Sequence, residues 1–137
     1  MPIRIIIAVF LFVWTGITPV LASGFEETRI HEVVIDVKTR KFLPDLISLN
    51  VGEKTRFILR NKDAELHAFV PIGLFAGTAH NVSGNGAPQF GKEGLVRVLL
   101  PSTGQTEILF TPKKPGKYPF FCDLPGHVMR GDIVVRE

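Results

Sequence analysis

Lys117-Tyr118-Pro119-Phe120-Phe121-Cys122-Asp123-Leu124-Pro125-Gly126-His127-Val128-Met129-Arg130-Gly131-Asp132-Ile133-Val134-Val135-Arg136 decides how this chain reads. Lys117 to Cys122 and Asp132 to Arg136 have the apolar and β-branched content of strands, and the residues between them make a strand-to-strand turn. Alternation along the first strand puts Tyr118, Phe120 and Cys122 on one face. The turn keeps the cysteine, a histidine and a methionine at one end of whatever sheet the strands join.

Working outward, the same strand-and-turn rhythm fills most of the chain. His31 to Lys38 reads as a strand, Pro44 interrupts, and Leu46 to Val51 alternates before a turn at Gly52-Glu53. Thr55 to Arg60 is a third strand, ended by Asn61-Lys62-Asp63, and Leu66 to Pro71 a short fourth carrying His67. Leu95 to Leu100 and Thr106 to Phe110 follow, separated by a turn at Pro101 to Gly104. Ile72 to Gly94 holds six glycines and Pro88 with little periodicity, and is expected to be a long surface loop with at most one helical turn. About eight short strands without a convincing amphipathic helix predict an all-β, antiparallel Greek-key sandwich. Eight strands exceed the five of an OB-like barrel.

Residues 1–22 stand apart. Met1-Pro2-Ile3-Arg4 is a basic start, Ile5 to Trp14 an apolar run, and Val20-Leu21-Ala22 a small-residue cleavage site. This is the signal-peptide pattern, and the run is short for a membrane span. Cleavage after Ala22 would leave a single domain over residues 23–137, exported and most simply periplasmic. The membrane enters only if the segment stays uncleaved. Formal net charge is only +3, with basic residues scattered among acids, so no nucleic-acid partner is expected. An exported chain with one cysteine cannot close an internal disulfide. Its thiol must be buried, paired between chains, or bound to something.

The histidine five residues after Cys122 points to a metal. A thiolate, two imidazoles and a thioether suit copper in both oxidation states. Zinc would accept the cysteine and histidines, but methionine is a poor zinc ligand. A cysteine–histidine nucleophile needs an orienting group, which is not apparent here. A copper oxidase needs a second centre, and beyond His67 and His127 only His31 and His80 remain. Catalysis is therefore not expected. His31 reads as structural, and His80 as a solvated loop residue able to visit the rim.

Cys122, Pro125-Gly126-His127 and Met129-Arg130-Gly131, followed by Ile133-Val134-Val135, resemble the signature of the cupredoxins, the small blue-copper family. Phe42-x-Pro44, Ile47-x-Leu49-x-Val51-Gly52-Glu53, Asn61-Lys62-Asp63 and His67-x-Phe69 resemble the family's pattern before its first histidine. The likeness covers residues 31–71 and 95–136. It implies one copper ion of type-1 kind, with His67, Cys122 and His127 as equatorial ligands and Met129 as the weak axial one. It also implies a monomer carrying single electrons between transient redox partners that dock near His127. The same ligands would serve a copper-binding module for delivery, tolerance or cuproenzyme assembly. The chain departs from the family in one place: only Val128 separates His127 from Met129. That shortening leaves the axial position to Met129, or open, or to a carbonyl such as that of Leu66.

Overall fold

The computed structural model describes residues 29–137, so the expected leader over residues 1–22 lies outside the described residues. Eleven strands make up the described chain: β1 (His31–Val37), β2 (Phe42–Leu43), β3 (Leu46–Asn50), β4 (Thr55–Asn61), β5 (His67–Pro71), β6 (His80–Gly84), β7 (Ala87–Gly91), β8 (Gly94–Leu100), β9 (Gln105–Phe110), β10 (Gly116–Phe121) and β11 (Arg130–Arg136). They form two sheets, one ordered β2-β1-β4-β9-β6 and the other β3-β11-β10-β5-β8-β7. The expected all-β sandwich is therefore present.

Alternation explains which face of each strand turns inward. Ile47 and Leu49 of β3, Thr106, Ile108 and Phe110 of β9, and Ile133 and Val135 of β11 are all buried at every second position. Phenylalanines from opposite sheets meet in the middle. Phe42, Phe57 and Phe110 come from one sheet, Phe69 and Phe120 from the other. Ring centroids are 6.2 Å apart for Phe57–Phe69 and 5.0 Å for Phe42–Phe120, both edge-to-face. Each such pair contributes about 0.5–1.5 kcal/mol beyond its buried area. This aromatic floor lies under the end of the sandwich where β5 begins and β10 stops.

Three expectations are corrected. The sandwich is not wholly antiparallel: β1 pairs with β4 in parallel, and so does β3 with β11. After β2 the chain leaves the first sheet for β3 in the second and returns as β4, a crossing that lets β4 run in the direction of β1. Second, the strand number is eleven rather than about eight. Two-residue β2 is too short to show periodicity, and the other two additions lie in the supposed loop.

Third, Ile72 to Gly94 is not a long loop. It contains β6, hydrogen-bonded to β9, and β7, paired with β8 around a bulge at Gln89/Phe90. Gly84-Asn85-Gly86 carries the chain from the edge of one sheet to the edge of the other. Gly84 has φ +98°, and a Cβ there would collide with the Gln105 carbonyl; at Gly86 it would strike Thr106 Oγ1. Glycine at these positions permits close backbone approach rather than looseness.

Candidate metal centre

The β10–β11 connection builds one side of the site. Cys122 N–H donates to the Met129 carbonyl at 3.1 Å, which closes the loop just beyond the strands. Inside it, His127 N–H donates to the Leu124 carbonyl at 3.1 Å across Pro125 and Gly126, the latter at φ +79°. Proline second and a left-handed glycine third are the requirements of a type II turn. Pro-Gly-His thus has a local reason: the turn swings His127 back over Cys122. Gly131 has another, since a Cβ there would run into the Phe120 ring.

His67 builds the other side. Strand β10 lies antiparallel to β5, with Phe121 opposite Val70, so the end of β10 and the start of β5 share one end of the sheet. His67 is fully buried. Its Nδ1 is 3.2 Å from Nδ1 of His127, and Cys122 Sγ is 3.3 Å from that same His127 nitrogen. All three donor atoms lie within 4.8 Å of one another. A metal ion with bonds of about 2.0–2.3 Å to nitrogen and sulfur needs its ligands roughly 3.3–3.8 Å apart. The spacing fits one ion. Cys122 Sγ also accepts the Ala68 N–H at 3.3 Å, so a donor already faces the sulfur that would carry thiolate charge.

The histidines differ little in exposure. The His127 side chain is 8% exposed, and it is Val128 beside it, at 83%, that faces solvent. Met129 is buried at 3% and lines a surface cavity of about 530 Å³ together with Cys122 and His127. Among the described residues, His80 joins no ligand group. It stacks on Phe90 and packs edge-on against Phe75, with Nδ1 bonded to the Thr78 carbonyl at 2.8 Å. His31 starts β1 and faces Glu53 at 3.3 Å, a structural place as expected.

Behind the histidines lies a polar layer that sequence reasoning missed. His67 Nε2 donates to Asp63 Oδ2 at 2.9 Å, which leaves Nδ1 with its lone pair towards the metal position. Asp63 also accepts the backbone N–H groups of Thr39 and Arg40 at 2.7 and 3.0 Å. The Arg40 N–H, with those of Thr39 and His67, holds the Asp63 carboxyl below the usual range of an aspartate. Glu65 is gripped by Arg40, Nε on Oε1 at 2.5 Å and Nη2 on Oε2 at 2.7 Å, and its carboxyl is lowered by that guanidinium. Asn61, 2% exposed, donates to the carbonyls of Glu65 and Leu100 and accepts from Asp63 N–H, fixing the path from β4 to His67. The one sequence signal was the acid-x-acid-x-His spacing of Asp63, Glu65 and His67.

A β-sandwich holding one cysteine and two histidines at a single end, over an aromatic floor, defines the class of small copper proteins. The chain belongs to the cupredoxin-like domain family, which matches it over residues 4–135. It is a copper-binding protein. It is 35% identical over 109 residues to the copper-resistant cuproprotein CopI of Rubrivivax gelatinosus, an alignment covering 75% of this chain and 64% of that protein. The chain thus spans less than two thirds of that relative's length. An uncharacterised Rickettsia prowazekii protein is 25% identical over 118 residues, 85% of this chain and 78% of its own. In fold the chain is similar to auracyanin A, a blue copper protein of Chloroflexus aurantiacus. The TM-score is 0.58 at 18% identity, covering 78% of this chain and 99% of that one. Auracyanin B gives 0.57, also at 18% identity.

Proposed function

We propose that His67, Cys122 and His127 hold one copper ion, with Met129 as its weak axial ligand, and that the protein carries single electrons between redox partners. The observation that carries this reading is the convergence of two Nδ1 atoms and one Sγ, with His67 and Cys122 buried and the His127 side chain 8% exposed. Copper, when bound there, supplies a one-electron couple. The chain's own residues do the rest. The hairpin hydrogen bonds of Cys122 and His127 and the Asp63 bond to His67 hold the donors in place. The phenylalanine floor keeps water from the sulfur. A fixed donor set limits rearrangement between oxidation states.

The docking face lies beside His127. Val128 and Leu43, 83% and 49% exposed, border a hollow of about 510 Å³ that reaches Met129. A partner meeting this face would bury a small interface, under about 1,200 Å², as weak redox encounters do. The reading places the working domain at residues 23–137, monomeric and exported to the periplasm, and gives it no catalytic role. It is tested by cycling the copper protein through reduction and reoxidation beside a copper(I) chelator. Retention of copper with full recovery of the oxidised spectrum is expected; loss of the ion on reduction would contradict electron carriage.

A second reading has its own support. The relative named for copper resistance is 35% identical to this chain. Under it the same ligands serve copper tolerance or delivery, and rapid transfer of the ion to an acceptor chelator is the expected result.

A further inference from the structure

We infer that Asp63 is the positioning carboxylate of His67, hydrogen-bonded to its distal nitrogen, that Glu65 adds negative charge behind both histidines, and that together they bias the bound ion towards copper(II). The inference rests on the reading of His67, Cys122 and His127 as copper ligands. It goes beyond that reading by assigning work to two acids outside the ligand set.

The geometry is specific. Asp63 Oδ2 takes the His67 Nε2–H at 2.9 Å, while Glu65 lies between the two rings, with Oε1 at 3.8 Å from His67 Nε2 and Oε2 at 3.8 Å from His127 Nε2. Each imidazole therefore has a carboxylate behind the edge that faces away from the metal position. Neither acid is free to wander. Glu65 is clamped by both the Nε and Nη2 groups of Arg40, and its own carbonyl is held by Asn61. Asp63 is anchored by the N–H groups of Thr39 and Arg40, the two residues of the tight turn joining β1 to β2.

That turn is itself informative. Thr39 and Arg40 have φ of 51° and 54°, and Lys38 and Lys41 exchange backbone hydrogen bonds across them. Two successive left-handed residues make a type I′ hairpin, which normally calls for Asn or Gly. A β-branched threonine and an arginine hold this conformation only where surroundings enforce it. Here both N–H groups are aimed at one carboxylate, and that carboxylate is aimed at His67. The turn is shaped to present Asp63.

Charge decides the direction of the effect. Asp63 and Glu65 bring two negative charges and Arg40 one positive, so the layer is net negative. On the opposite flank Asp123, next to Cys122, is neutralised by Arg97 at 2.7 Å. A net negative layer favours the more highly charged ion, and a carboxylate-bound imidazole is the stronger donor. Asp63 is the less exposed of the two acids, 15% against 37%, so water screens it less and its contribution is the larger.

The test uses the full chain loaded with copper, as wild type, Asp63→Asn and Glu65→Gln. Copper(II) and copper(I) affinities are measured by chelator competition and the reduction potential by titration. In Asp63→Asn copper(II) affinity should fall about tenfold or more. Copper(I) affinity should fall less, so the potential rises, by about 59 mV for each tenfold change in their ratio. Glu65→Gln should move the same way by less. In wild type the Nε2 proton of His67 should exchange slowly with solvent in the copper(I) form. A thiolate-to-copper band in wild type, with the affinity ratio unchanged in both variants, overturns the inference and leaves the copper site standing. Absence of that band in wild type would instead sink the site itself. Should Asp63→Asn fail to fold, an unchanged ratio in Glu65→Gln, or a freely exchanging His67 proton in wild type, overturns the inference equally.

Discussion

Cys122 is the chain's only cysteine, and its sulfur meets a backbone N–H on one side and an imidazole nitrogen on another, at 3.3 Å each. A structural thiol needs neither. Met129 follows His127 with Val128 alone between them, the spacing at which the chain departs from the signature it resembles. The loop stays closed because the Met129 carbonyl, not its side chain, pairs with Cys122 N–H; the thioether is left buried beside the sulfur. Replacing Met129 by alanine should cost the metal-free fold about 2–5 kcal/mol, as truncation of a buried methionine does. It should also shift the visible spectrum of the copper form. An unshifted spectrum in the folded variant would mean that the thioether is core filling only. Val128 is the opposite case, exposed and outside the ligand set. Val128→Asp should slow electron exchange with a partner at unchanged copper content, read by stopped-flow mixing; unaltered rates would move the docking face elsewhere.

Among the strands, the parts legible in sequence were those whose signal is local. The Cys122–Gly131 turn, the alternation of β3, β9 and β11, and the start of β5 at His67 are each written within a few consecutive residues. Pairing direction is not written that way, and the parallel partnerships of β1 with β4 and β3 with β11 depend on chain crossings between sheets. Nor was the layer behind His67 legible, because Asp63 acquires its partners from a turn 24 residues earlier. In sequence the glycines of Ile72 to Gly94 read as looseness, but four of them, Gly84, Gly86, Gly91 and Gly94, mark close contact. A comparison of Gly84→Ala with Gly77→Ala separates these meanings. Both glycines have positive φ, but Gly77 has open space where Gly84 meets the Gln105 carbonyl. Gly77→Ala should cost about 1–2 kcal/mol for the backbone alone. Gly84→Ala should cost a further 1–3 kcal/mol or so for overpacking, read by chemical denaturation. Equal costs would contradict the close-approach account.

Taken whole, the molecule is a rigid sandwich that spends its interior on phenylalanine and keeps its chemistry at one end. The sheets bring β5 and β10 side by side, the β10–β11 loop folds over them, and the β1–β2 turn closes from the neighbouring sheet with Asp63 and Glu65 between. The donor atoms of His67, Cys122 and His127 converge at one point of the fold, and the site stands on that convergence. It is tested most directly by adding one equivalent of copper(II) to the wild-type protein and to Cys122→Ser and recording both visible spectra. Wild type should develop an intense thiolate-to-copper charge-transfer band that saturates at one copper per chain, and Cys122→Ser should lack it. A wild-type spectrum without that band, or a band that survives loss of the Cys122 sulfur, would contradict the site described.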